Sequence, residues 1–129
     1  MLTTGVTHPI KKPWGNYKVL LESDHYVVKE LRLFPEQQFS LQKHEHRIEE
    51  WTILEGTGLI TLGESPQQTS TFVSGERSRV MVPQGYIHRL KNTSKNNDLV
   101  VLEIWWSKKE NGLSEEDIIR YEDDYDRVC

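Results

Sequence analysis

Two stretches hold most of the residues able to do chemistry. The first is Gln42-Lys43-His44-Glu45-His46-Arg47-Ile48-Glu49-Glu50-Trp51. On an extended strand, side chains alternate between faces, so Gln42, His44 and His46 would share one face. Two imidazoles and a side-chain amide in a row make a chelating set. Glu49 or Glu50 could complete it if the chain kinks at Arg47-Ile48. Imidazole suits zinc, iron, nickel and copper, whereas carboxylate and amide oxygens favour manganese and magnesium. The donors alone therefore select no single metal. A His-x-His pair by itself is most often polar surface, so the reading needs a second cluster. Pro83-Gln84-Gly85-Tyr86-Ile87-His88-Arg89-Leu90-Lys91-Asn92 supplies it. Proline and glycine set a tight turn before a strand, on which His88 and Leu90 share a face and Arg89 takes the other.

Two charged residues fall on otherwise apolar strand faces. Lys29 lies in line with Val27, Leu31 and Leu33, and Glu103 with Leu99, Val101 and Trp105. A buried charge is costly unless it is paired. Lys29 either points inward for a reason or extends its amine to the rim. Glu103 is expected inside, where burial would raise its pKa toward that of a useful base.

The elements that must position these groups read as short strands separated by Gly- and Pro-bearing turns. They fall near residues 16–21, 25–34, 38–46, 49–55, 59–62, 69–73, 78–82, 88–92 and 99–106. Such a series argues an all-β sandwich or barrel. Three segments are expected: an extended N-terminal arm over 1–15, a barrel over 16–110, and a helix with an acidic tail over 111–129. The helix is expected from about Glu115 to Tyr121. Ser114 lies three residues before Asp117 in a capping-box arrangement, with Leu113 and Ile118 as a hydrophobic staple. Trp14 needs covering, either by its own domain or by a second subunit. An arm paired with a second copy would also protect an edge strand, so a homodimer is expected.

The chain of 129 residues is enough for one domain with a core. Its formal charge of -4 gives no basic footprint for nucleic acid. The one cysteine, Cys129, excludes a disulfide within the chain and a thiolate metal cluster. No signal peptide and no apolar run of membrane-spanning length is found, so a cytoplasmic location away from membranes is expected.

Taken together, the two clusters resemble the paired motifs of the cupins, a jelly-roll family. The first motif is matched by His44, His46, Glu49 and Gly56, with Glu50 as the other candidate carboxylate. The second is matched by Pro83, Gly85, His88 and Asn92. Within the cupins the chain resembles type II phosphomannose isomerases, often the C-terminal part of a bifunctional guanylyltransferase/isomerase. Leu41-Gln42-x-His44-x-His46-Arg47-x-Glu49-x-Trp51, Lys12-Pro13-Trp14-Gly15-x-Tyr17, His88-Arg89-Leu90-x-Asn92, Glu116-Asp117-Ile118-Ile119-Arg120 and Asp124-Tyr125-x-Arg127 carry the resemblance, over residues 11–127. The chain departs from it at Glu50, where that family carries His, and at Ile104-Trp105, where it carries Val-Gln.

The resemblance implies a cupin-type double-stranded β-helix and a metal-dependent aldose–ketose isomerase acting on mannose 6-phosphate or a close sugar phosphate. It implies one divalent ion held by His44, His46, Glu49 and His88, with Gln42 as a further ligand. Zinc is placed first, with manganese, nickel, cobalt or iron as alternatives. Glu103, Glu50 and Lys29 are the candidate proton carriers. Arg47, Arg89, Lys12 and Arg120 are the candidate phosphate anchors. GDP-mannose synthesis is not expected. A cupin of other chemistry, such as a metal-dependent dioxygenase, and a non-catalytic sugar- or metal-binding module are the competing readings.

Overall fold

The computed structural model describes residues 8–107 and 113–127, together with the backbone of Thr3 and Thr4. Among the described residues there are twelve strands and no helix, and none is part of a helix long and apolar enough to cross a membrane. One sheet runs, in spatial order, β1 (Thr3–Thr4), β3 (Gly15–Glu22), β4 (Tyr26–Leu33), β11 (Leu99–Trp106), β6 (Ile48–Glu55) and β9 (Arg79–Val82). Strand β2 (Ile10–Lys12) pairs with β3 on the edge that β1 also occupies. The other sheet runs β12 (Ile119–Glu122), β5 (Leu41–Lys43), β10 (Ile87–Asn92), β7 (Gly58–Ser65) and β8 (Gln68–Ser74). From β4 onward the chain changes sheet at every step except the β7–β8 hairpin. That alternation winds it into a jelly roll, the all-β architecture expected from the strand pattern.

Period-two burial decides which residues face inward. On β4, Val27, Lys29, Leu31 and Leu33 are buried and their neighbours are not. On β6 the buried set is Glu49, Trp51 and Ile53. Strand β11 is buried along Leu99, Val100 and Val101, then alternates through Glu103 and Trp105. Register places Lys29, Glu103 and Trp51 in one row across β4, β11 and β6, with Val27, Trp105 and Glu49 in the next. From the facing sheet, Gln42, His88 and Leu62 form a row across β5, β10 and β7. Polar residues thus occupy one end of the inner space. Leu31, Leu33, Trp51, Ile53, Ile60, Leu90, Leu99 and Val101 fill the rest.

The N-terminal strands fold back on their own chain. Ile10, Lys11 and Lys12 pair with Tyr17, Asn16 and Gly15. Trp14, in the connecting turn, is buried and meets Phe39 edge-on at 4.7 Å between ring centres. Within the chain, β1 and β2 cover the outer edge of β3. Gly15 sits at φ +155, where a Cβ would stand 1.9 Å from the Arg32 carbonyl oxygen. Only glycine lets β3 approach β4 there.

The expected C-terminal helix is absent. Glu115 and Glu116 form a turn, and Ile119–Glu122 is a strand paired with β5. The amide of Glu116 donates to the Ser114 hydroxyl, which resembles a cap, but the chain leaves the turn after Asp117. The Asp117 carboxylate accepts instead from the amides of Glu45 and His46, at 2.8 and 3.0 Å. Two charge-assisted bonds to a distant segment outweigh one local cap.

Candidate metal and substrate cavity

Strand β5 ends at Lys43, so the alternation expected through His46 stops there. His44 turns inward and is buried, Glu45 and His46 are exposed, and Arg47 is buried. The ligand atoms of His44, Glu49 and His88 lie within 4.8 Å of one another, all three residues buried. His46 stands outside this group. The chain supplies two imidazoles and a carboxylate there rather than the three imidazoles expected, and the Arg47 guanidinium lies beside them.

Both imidazoles are oriented by main-chain carbonyls. His44 Nδ1 is 2.6 Å from the Asp117 oxygen, and His88 Nδ1 is 3.0 Å from the Tyr86 oxygen. A carbonyl can only accept, so each Nδ1 carries a proton and each Nε2 turns a lone pair toward Glu49. His44 Nε2 is 3.1 Å and His88 Nε2 is 3.4 Å from the Glu49 oxygens. The Gln42 amide reaches both Nε2 atoms, at 3.4 and 3.5 Å, while its other end accepts from Ser40. Exchanging the two ends of that amide would direct an oxygen at the same point. Arg47 donates to Glu49 Oε2 at 2.8 Å and to the Ser114 carbonyl at 2.9 Å, with Nη2 3.2 Å from His44 Nε2. Glu49 Oε1 is buried without a hydrogen-bond partner. A buried carboxylate oxygen left open beside two imidazole lone pairs is a donor set that fits a divalent cation.

Burial opposes ionisation of Glu49, but the adjacent His44 and Arg47 hold its carboxyl well below the usual range. Glu103 goes the other way. Burial, then the Glu49 charge, push its pKa from 4.5 to about 7, against the pull of Lys29 and Arg47. Its two oxygens accept from the indoles of Trp51 and Trp105, each at 2.8 Å. Lys29 is 3 % exposed and ion-paired with Glu115. Burial lowers its pKa, and Glu103 and Glu115 restore part of the loss. The Trp105 ring carries both cations. Lys29 Nζ and Arg47 Cζ each lie 3.6 Å from its centre.

Of these groups, Lys29, Gln42, His44, Arg47, Glu49, Glu103 and Trp105 border one cavity of about 110 Å³, room for a ligand rather than a single water. Lys12, Lys29, Arg47, Arg120 and Arg127 line it with Gln42, His44, Glu49, Glu103 and Glu115. In a chain of net charge -4, a local excess of cations favours an anionic ligand. Besides His46, two of the expected residues lie elsewhere. Arg89 points out of the barrel, donating to the Phe39 carbonyl and to Glu122. Glu50 alternates to the outer face of its sheet, in register with Ile104 and Met81. Two charged lining residues were not among the expected site residues: Glu115, on a turn with no periodicity, and Arg127, in what read as a solvated tail; nor was Tyr17, on β3.

The chain matches the family model described as mannose-6-phosphate isomerase C-terminal over residues 3–123. It belongs to that family. Among curated relatives it is 34 % identical over 119 residues to the xanthan biosynthesis protein XanB of Xanthomonas campestris pv. campestris, covering 92 % of this chain and 24 % of that one. It is 30 % identical over 119 residues to the mannose-1-phosphate guanylyltransferase ManC of Salmonella typhimurium, covering 92 % and 23 %. The chain thus spans about a quarter of these relatives. Solved structures agree on the fold. Oxalate decarboxylase from Bacillus subtilis superposes with a TM-score of 0.75 at 16 % identity, covering 93 % of this chain and 31 % of that one. The Schizosaccharomyces pombe Cnp3 cupin domain gives 0.65 at 16 % identity, covering 72 % and 61 %.

The cupin fold clarifies the motif register. His46 to Glu49 leaves two intervening residues, fewer than the cupin pattern of three or four. Gln42-x-His44, then four residues, then Glu49, then six to Gly56 meets it. In that frame Gln42, on β5, and His44, just past its end, are the pair, and both lie beside His88. The departure at Glu50 lies outside the cavity, whereas the departure at Trp105 lies within it.

Proposed function

We propose that this family member is a metal-dependent aldose–ketose isomerase that interconverts mannose 6-phosphate and fructose 6-phosphate. The observation that carries the proposal is a buried His44–Glu49–His88 cluster, two of whose members, His44 and Glu49, line one cation-rich cavity together with a buried acid, Glu103. The family is described by mannose 6-phosphate isomerisation, and the relatives are longer proteins.

Isomerisation moves a proton between adjacent carbons through an enediol. It needs a base poised near neutrality, charge stabilisation on the sugar oxygens and an anchor for the phosphate. His44, Glu49 and His88, with Gln42, would hold the metal, whose charge would polarise the sugar's carbonyl and hydroxyl oxygens. Glu103 would take the C2 proton as carboxylate and return it to C1. The Trp51 and Trp105 donors hold that carboxylate in place and leave lone pairs on each oxygen. The cationic lining would anchor the phosphate, with Arg47 tied to Glu49 and so to the metal end. Incubating zinc- or manganese-loaded protein with mannose 6-phosphate in deuterated water tests the reading. The C2 proton signal should disappear as fructose 6-phosphate forms. Full retention of that signal with each metal would refute it.

A non-catalytic sugar- or metal-binding module is the second reading, and Trp105 favours it. Its indole stands in the cavity against both Lys29 and Arg47, where relatives of the resembled isomerases carry a smaller amide. Such a module would bind mannose 6-phosphate with no deuterium incorporation.

A further inference from the structure

The cavity's carboxylates differ in how firmly they are held. Glu49 takes the Arg47 guanidinium and lies between two imidazoles. Glu103 takes an indole donor on each oxygen. Both sit on barrel strands, and both are buried. Glu115 does not sit on a strand. It comes from the turn at 115–116, its side chain is 53 % exposed, and one oxygen, Oε1, accepts both from Lys29 Nζ and from the Tyr17 hydroxyl at 3.3 Å. Its carboxylate can leave without breaking a single strand pairing.

What it would leave behind is a formed anion site. Lys29 is fixed on β4 and buried, with its amine 3.6 Å from the Trp105 ring centre and 4.3 Å from that of Tyr17. Tyr17 is fixed on β3, and burial together with Glu115 pushes its pKa to about 12, so it remains a hydroxyl donor at neutral pH. Lys12 stands 5.9 Å from the centre of the same tyrosine ring. A buried ammonium must have an anionic partner. Glu115 is the carboxylate in contact with it.

We propose that Lys29 and Tyr17 form an anion subsite for the phosphate group of the substrate, and that Glu115 is its built-in occupant, displaced when that phosphate binds. The proposal deepens the sugar-phosphate reading and rests on it for the identity of the ligand. A phosphate carries up to two charges and three acceptor oxygens against one charge and two oxygens on a carboxylate. With Lys12 near, it satisfies the same two donors better. The displaced Glu115 returns to solvent, to which it is already half open. The chain's own carboxylate thus excludes neutral sugars from a subsite that a phosphorylated sugar can open.

Calorimetric titration with inorganic phosphate tests this without turnover, on the full chain with its metal. Glu115→Gln removes the competing charge and should tighten phosphate binding at least about fivefold. Lys29→Met should abolish it, and Tyr17→Phe, which keeps the ring, should weaken it. Mannose without phosphate should bind wild type and Glu115→Gln alike. In turnover, Glu115→Gln should lower KM for mannose 6-phosphate. Phosphate binding that is unchanged or weaker in Glu115→Gln, or retained in Tyr17→Phe and Lys29→Met, would overturn the proposal, as would a lost kcat at constant KM. Phosphate binding that follows these expectations in a protein that exchanges no C2 proton would refute the isomerase reading and leave the subsite standing.

Discussion

Replacing Glu103 by glutamine separates what its charge does from what its shape does. The group is buried, and its pKa in the folded chain is raised from 4.5 to about 7. The folded state then holds a proton that the unfolded state has released between those values. Stability from this group is therefore fully present below pH 4.5 and is lost as pH rises through 7. The displacement corresponds to about 3 kcal/mol in all, of which about 2 kcal/mol falls between pH 5.5 and 8.5. Glu103→Gln abolishes that pH-dependent part. It also turns an amide NH2 toward one of the two indole donors, at a cost of about 1–3 kcal/mol at every pH. The variant should be less stable than wild type at pH 5.5, with the gap narrowing by about 2 kcal/mol at pH 8.5. Urea denaturation of chelator-treated protein at the two pH values measures this. Parallel pH dependence in the two proteins would refute the burial argument. The same ionisation acts oppositely on catalysis. The carboxylate that could abstract a proton forms as pH rises through about 7, so kcat should rise where stability falls. A metal beside Glu49 would neutralise one of the charges that raise the Glu103 pKa, so loading should move both midpoints down.

Two further substitutions probe the frame around the cavity. Asp117→Ala removes the carboxylate that takes the Glu45 and His46 amides; metal affinity should fall about 10–100-fold, measured by competition with a chelating dye, because the turn that aims His44 loosens. Gly15→Ala would put a methyl 1.9 Å from the Arg32 carbonyl oxygen at a φ of +155, and should lower stability by at least about 2 kcal/mol in thermal or urea unfolding.

Period two carried the reading of the barrel far. It put Glu103 inside and Lys29 on an apolar face with its direction open, and both are buried, because β4 and β11 are long, regular strands with paired neighbours on both sides. It failed where a strand was short. β5 has three residues, so alternation extended past Lys43 put His46 inside, whereas Asp117 captures the Glu45 and His46 amides and the chain turns. The spacing to Glu49 held the corrective signal, since four residues follow His44 and only two follow His46. The C-terminal helix failed for a similar reason. Ser114 and Asp117 are capping residue types, but a partner far along the chain took the Asp117 carboxylate. Glu115 and Arg127 reach the cavity from segments with no periodicity, so no local pattern could place them there.

The account depends on which histidines face the cation. Metal content after equilibration with one equivalent of zinc and gel filtration, for wild type, His46→Ala and His88→Ala, decides it. About one ion per chain is expected in wild type and in His46→Ala, and none in His88→Ala. Loss of the ion in His46→Ala, or its full retention in His88→Ala, would contradict it.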